Sequence, residues 1–144
     1  MKGLDNQTIE VNLPSKIGYE RIAMQCSASF AKMVGFVPER IEDMKTVVSE
    51  ACLNAMEHGN KEDPNTRVMI KMNFKNKSIT VFVKDEGTGV EKIPEEPDIN
   101  KKIEKLETPR GLGIFLIKQL ADQVDFNQMT KDGHVVRMVI KMGV

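Results

Sequence analysis

Three short stretches of the chain hold residue types and spacings that could do chemistry. In SEACLNAMEHG (49–59), Glu50, Asn54 and His58 recur at intervals of four. Each step of four turns a side chain only about 40° around a helix axis, so a carboxylate, an amide and an imidazole share one side. On an outward face such a row is a solvated stripe. Its neighbours here are Ala51, Cys52, Leu53, Ala55 and Met56, and a polar row in apolar surroundings has to be paired or meet a ligand. In DEGTG (85–89), Asp85 ends an alternating run. A carboxylate there can accept a hydrogen bond from an exocyclic amine, while Gly87 and Gly89 let the backbone approach a flat ring; the same residues also suit a tight turn. In PRGLGI (109–114), Gly111 and Gly113 precede an apolar run. Glycines that open a helix present free N–H groups and the positive dipole end to a phosphate, and Arg110 adds a cationic fork.

These residues need elements to position them. Ile9, Val11 and Leu13 alternate with polar neighbours and predict a strand that ends at Pro14. Apolar residues from Ile17 to Val34 predict a helix over 16–34, stopped by Gly35. A second helix starts at Pro38, with Glu39, Glu42 and Asp43 near its positive end, and carries the stripe Ile41, Met44, Val48, Ala51 and Ala55 as far as Gly59. Val68, Ile70, Met72 and Phe74 alternate, and after a turn near Asn76 the run SITVFVKD alternates again, which predicts two antiparallel strands. Residues 91–109 hold three prolines and ten charged residues. A loop of that length in a small domain is either a working lid or a plain insertion. A third helix follows over 113–121, then a hairpin turned by Lys131, Asp132 and Gly133. The order β-α-α-β-β-lid-α-β-β implies an α+β fold: a two-layer sandwich with helices on one face of a mostly antiparallel sheet, the other face being solvated or shared.

Composition narrows the function. The chain has 144 residues, which suits one domain over 1–144. Its 21 Lys+Arg balance 21 Asp+Glu at a pI near 6.7, so no net field draws it to nucleic acid. No apolar stretch approaches the ~20 residues that cross a bilayer, and the start MKGLDNQTIE has no apolar signal region, so the expected location is cytoplasmic. Cys26 and Cys52 lack CxxC spacing and are expected to be reduced and buried, with no zinc site. Most of the ten methionines read as core filler.

Taken together and in this order, the motifs resemble the ATPase fold shared by gyrase, the ninety-kilodalton heat-shock chaperones, histidine kinases and mismatch-repair proteins. Glu50-x-x-x-Asn54-Ala55 resembles that family's N box, Asp85-x-Gly87-x-Gly89 its first glycine box, and Arg110-Gly111-Leu112-Gly113 its second. The pattern SEAxxNAxxH and the early segment LPSKIGYERI are more narrowly similar to bacterial anti-sigma-factor serine kinases. The resemblance implies ATP and Mg²⁺ as cofactors, with Asn54 on the metal, Glu50 as general base towards a serine hydroxyl, and Asp85 on the adenine amine, supported by Gly87 and Gly89. It implies that Gly111, Leu112 and Gly113 donate backbone N–H groups to phosphate, with Arg110 or the lid neutralising charge. His58 either touches phosphate or caps its helix. A carboxylate at position 50 suits an alcohol nucleophile, which must lose a proton, better than a neutral imidazole. Where many relatives place threonine after the last hairpin glycine, this chain has His134, so the adenine contact is altered or His134 supplies it.

The implied activity is that of an ATP-dependent serine kinase that binds a sigma factor and phosphorylates an anti-anti-sigma partner. Arg21 is the implied partner contact, and a homodimer through the open sheet face is the implied assembly. Two alternatives compete: a nucleotide-gated binding module without catalysis, and a detached histidine-kinase catalytic domain.

Overall fold

The computed structural model describes residues 7–87, 112–130 and 133–143, with 127–130 described by backbone only. Five strands, β1 (Thr8–Pro14), β2 (Arg67–Lys75), β3 (Ser78–Lys84), β4 (Gln123–Thr130) and β5 (Gly133–Lys141), form one sheet. Their order is β1-β2-β3-β5-β4, and every neighbouring pair is antiparallel. Among the described residues three helices, α1 (Glu20–Met33), α2 (Pro38–Asn54) and α3 (Gly113–Leu120), accompany the sheet, and α2 packs against both of the others. This is the α+β sandwich that the element order implies.

Alternation in the strands decides which face is covered. Val68, Ile70 and Met72 of β2 and Ile79, Val81 and Val83 of β3 are buried, while the residues between them are not. A period of two sends all six side chains to one side, where they meet Met44, Val48, Ala51 and Cys52 of α2 in the core. On the other face the register aligns Glu10, Lys71, Phe82, Arg137 and Asp125 across the five strands. The Lys71 ammonium lies 5.1 Å from the centre of the Phe82 ring. Between β2 and β3, Asn76 and Lys77 take φ of 53° and 62°, the two left-handed residues of a tight hairpin whose twist matches the sheet.

The helices differ from expectation at four ends, the first helix also closing one residue early at Met33. The first begins at Glu20 instead of residue 16, because Gly18 sits at φ +107°, a conformation no right-handed helix admits. Gly18 N–H instead donates to Glu20 Oε1 at 2.6 Å. The second helix is α-helical only to Asn54, and Ala55–Gly59 form a π-turn. The cause lies in Asn60, whose backbone N–H donates to Ala55 O at 2.8 Å while its buried side chain donates to Ser15 Oγ and Arg67 O. The third helix stops one residue early, where Ala121 turns extended. The expected lid over 91–109, and Lys131 and Asp132 of the last hairpin turn, lie outside the described residues.

Both cysteines are free. Cys52 is buried, and desolvation, with the nearby Glu20 carboxylate, pushes its thiol up to about 12. Cys26 departs from expectation in being only half-buried on α1. Met44, Met56, Met72 and Met138 fill the core, whereas Met33 is 80% exposed. Among the described residues no helix is long and apolar enough to cross a membrane.

Arg40 ties α2 to the far end of the sandwich. Its guanidinium donates to Asp43 Oδ2 at 2.7 Å, Asp122 Oδ2 at 2.6 Å, Leu120 O at 3.2 Å and Lys141 O at 2.9 Å. It thereby satisfies a carbonyl at the end of α3 and another at the end of β5. Replacement of Arg40 by Ala is expected to lower the unfolding free energy by about 1–3 kcal/mol in urea denaturation, since hydrogen bonds to charged groups are lost together. A change below about 0.5 kcal/mol, the level of an ordinary surface substitution, would contradict this account.

Candidate nucleotide site

A cavity of about 300 Å³ opens between the end of α2 and its π-turn, β3, α3 and the β4–β5 hairpin. Its apolar wall includes Val83, Ile114, Ile117 and Phe126. Its polar groups are Asn54, His58, Asp85 and His134. A mostly apolar slot with a few convergent polar groups is the usual form of a site for a flat organic ligand.

Asp85 organises the deep end. It follows the last residue of β3 and is only 3% exposed. Its backbone N–H donates to His134 O at 3.0 Å, which continues the β3–β5 ladder. Its Oδ1 accepts from Gly87 N–H at 2.9 Å and from His134 N–H at 3.4 Å. Burial pushes the Asp85 carboxyl above its ordinary range, opposed by the Gly87 N–H and by the charge and hydrogen bonds of His134.

Three glycines make room for this carboxylate. A Cβ on Gly59 would stand 2.0 Å from Asp85 Oδ2, one on Gly133 would stand 1.9 Å from Asp85 O, and one on Gly87 would stand 1.6 Å from Gly59 O. Only hydrogen at Cα allows the three backbones to close around one side chain. Asn60 completes the join, since its Oδ1 accepts from Glu86 N–H at 2.8 Å.

The other candidate residues are distributed around the cavity. Asn54 and His58 line it, His58 from the π-turn, a wider turn that often marks functional sites. Glu50 lies one helical turn before Asn54, half-buried and outside the cavity wall. Leu112 and Gly113 start α3, whose Ile114 and Ile117 form part of the wall, so the open end of that helix borders the cavity. Gly87 supports Asp85 through its N–H. His134 is buried against Asp85. Arg21 lies apart on the exposed side of α1, its side chain 80% exposed and 3.9 Å from Glu20. Gly89, Arg110 and Gly111 fall outside the described residues.

Three contributors escape a reading by motif. Gly59 reads in sequence as a helix stop, yet it shields Asp85. Asn60 follows it without any motif of its own. Phe126 sits where the β4–β5 register shifts between Asp125 and Gln128, an irregularity that no sequence period marks, and there it reaches the cavity.

The model of the histidine kinase-like ATPase domain matches residues 13–140. The chain belongs to that family. Serine-protein kinase RsbW of Bacillus subtilis (strain 168) is 32% identical over 121 residues, covering 81% of this chain and 75% of that protein. Serine-protein kinase RsbW of Bacillus cereus (strain ATCC 10987) is 34% identical over 137 residues, covering 92% and 83%. The crystal structure of the RsbU and RsbW domains of a Mycobacterium tuberculosis protein shares the fold with a TM-score of 0.67 at 14% identity. That match covers 94% of this chain, which spans 32% of the larger one. Membership of an ATPase family makes ATP the ligand class to be tested against the cavity.

The raised Asp85 carboxyl sets a sign for stability. A group whose native pKa lies above its unfolded value favours the fold while protonated and opposes it as pH rises through the native pKa. Asp85→Asn is therefore expected to leave the ligand-free protein at least as stable as the parent at neutral pH, with the difference closing in acid. Denaturation midpoints across pH check this. A variant clearly less stable at pH 7 and equal in acid would reverse the sign.

Proposed function

We propose that this protein is an ATP-dependent protein serine kinase of the anti-sigma type, which binds a sigma factor and phosphorylates a serine of an anti-anti-sigma partner. The observation that carries the reading is the row Glu50, Asn54 and His58, which runs along α2 and its π-turn into a cavity ended by the buried Asp85. Similarity to serine-protein kinases named RsbW over most of the chain supports it.

The residues present fit an adenine nucleotide. The base enters the apolar slot, where Asp85 Oδ2 accepts from its exocyclic amine, and the glycines leave space for close approach. The triphosphate would then run towards Asn54 and the start of α3, where Leu112 and Gly113 would offer backbone N–H groups. His58 reaches the phosphate end of the cavity. Asn54 Oδ1 is the protein oxygen that would hold Mg²⁺, which needs few protein ligands when phosphates supply the others. Bound there, the ion would neutralise phosphate charge.

Glu50 is the general base. Its carboxylate takes the proton of the partner's serine hydroxyl as that oxygen bonds to the γ-phosphorus, the bond to the β-phosphate bridging oxygen breaks, and ADP leaves. Arg21 and the exposed Ile17 and Ile22 beside it form a mixed cationic and apolar patch suited to the protein partners. The outward sheet face, with Phe82 among alternating charges, suits a homodimer contact. Such a kinase, with two free thiols, works in the cytoplasm.

Incubation with γ-labelled ATP and an anti-anti-sigma protein is expected to yield acid-stable phosphoserine. Glu50→Gln should reduce transfer by at least about a hundredfold while ADP affinity stays within about threefold. Acid-labile phosphate, or transfer unaffected by the substitution, would refute the assignment of the base. Gly59→Ala, which drives a methyl group onto Asp85 Oδ2, is expected to weaken ADP binding at least about tenfold in titration calorimetry. Unchanged affinity would place the base elsewhere.

A further inference from the structure

Asn60 is a buried polar side chain to which the phosphotransfer reading gives no task, and three distant segments of the chain converge on it. It is 4% exposed. Its Oδ1 accepts from Glu86 N–H at 2.8 Å, and its Nδ2 donates to Ser15 Oγ at 3.2 Å and to Arg67 O at 3.0 Å. Only this orientation of the carboxamide turns hydrogens towards a carbonyl and a lone pair towards an N–H, so both ends of the group are committed. The backbone beside it is held as firmly. Asn60 N–H closes the π-turn on Ala55 O, Glu62 N–H donates to Met56 O at 2.7 Å, and Lys61 and Glu62 take left-handed φ of 52° and 58°. Non-glycine residues persist in that region only where neighbouring contacts over-determine them. The Asn60 side chain is therefore a bracket whose own backbone gives way little.

The two ends of the bracket meet different parts of the molecule. On the Oδ1 side, Glu86 directly follows Asp85, and the next residue, Gly87, donates its N–H to Asp85 Oδ1 at 2.9 Å. On the Nδ2 side, Ser15 opens the turn between β1 and α1. Ser15 N–H donates to Thr66 O at 3.0 Å, Tyr19 N–H to Lys16 O at 3.0 Å, and Gly18 N–H to Glu20 Oε1 at 2.6 Å. A Cβ on Gly18 would meet no atom within 4 Å among the described residues, and Ile17 and Ile22 are 54% and 52% exposed. Hydrogen bonds hold this turn where packing does not, so it can open locally while the sandwich stays folded.

We propose that Asn60 is a positioning residue that joins the nucleotide cavity to the β1–α1 turn: a ligand that engages Asp85 steadies the chain at 85–87, and the Asn60 carboxamide passes that constraint to Ser15 and keeps the turn over 15–22 closed. This rests on the reading of the cavity as a nucleotide site and of the surface around Arg21 as the partner contact. The element with two arrangements is the turn, closed by its hydrogen bonds or locally open. Its closure holds Ile17, Arg21 and Ile22 in one arrangement before a protein partner meets them, which spares that partner the entropy of ordering the surface itself. The coupling is reciprocal, so a partner that closes the turn tightens nucleotide binding by the same factor.

Amide hydrogen exchange of the full chain, read by mass spectrometry with and without saturating ADP, tests the coupling. In the parent, ADP should slow exchange over 15–22 at least about fivefold, the lower end of ordinary coupling between sites, while the β2–β3 hairpin at Asn76 and Lys77, which lies off this route, changes less than about twofold. Ser15→Ala removes the acceptor at the turn and leaves Asn60 its bonds to Glu86 and Arg67. In that variant ADP affinity by calorimetry should stay within about threefold of the parent, while the slowing over 15–22 falls below about twofold. Asn60→Ala should lose the slowing as well, and Ser15→Ala carries the test if circular dichroism shows that Asn60→Ala does not fold. A purely structural amide would lower stability in both variants yet leave the effect of ADP on the turn in place, and that result would overturn the proposal. So would a parent that binds ADP with the turn no more protected than the hairpin, the nucleotide site then standing without the coupling. A parent that binds no ADP would overturn both readings.

Discussion

A carboxylate held away from water destabilises a fold unless donors surround it, and Asp85 is placed where three chain segments can supply them. The end of β3 delivers it, β5 brings His134 against it, and the chain after α2 closes over it through Gly59. The packing at this end of the cavity follows from keeping that group buried with its donors in place. The glycines are the geometric condition, because a single methyl at any of the three positions would intrude on Asp85 or on the backbone packed against it. The polar condition is met by two N–H donors on Oδ1, while Oδ2 faces Gly59 and His134.

Around this point the sandwich acts as a positioning frame. The inward rows of β2 and β3 hold α2 at a fixed height, and α2 carries Glu50 and Asn54 along the side that leads to the cavity. The π-turn then shifts the chain so that His58 lines the cavity while Asn60 is buried among Ser15, Arg67 and Glu86. At the opposite end of α2, Arg40 holds the last carbonyl of α3. One helix therefore sets both one wall of the cavity and the anchor of the helix that faces it.

Much of this was legible in the sequence because it depends on short periods. Alternation marked β2 and β3, the stripe from Ile41 to Ala55 marked α2, and Asn76 marked the hairpin. Asn54, His58 and Asp85, which their motifs single out, line one cavity, whereas Glu50 of the same row lies outside its wall. What stayed hidden was set by contacts distant in the chain. The π-turn depends on the side-chain bonds of Asn60 to residues brought in by β1 and β2. Phe126 joins the site only through strand register. The late start of α1 was written in Gly18, but a glycine in a helical stripe does not announce its φ. The role of Gly59 was masked by a second, equally valid reading as a helix terminator.

The pairing of β3 with β5, which sets Lys84 opposite Val135, also bears on how the chain assembles. Like the pairing of β1 with β2, it joins strands distant in the chain, whereas the β2–β3 and β4–β5 hairpins close locally. Sheets completed by such non-local pairing fold slowly, because chain entropy is lost before the contacts form. The same entropy grows only with the logarithm of length, so each doubling of a flexible connection adds about 0.6 kcal/mol. A longer connection between β3 and β5 therefore costs little in chain entropy, with the sheet and its buried carboxylate left as they are.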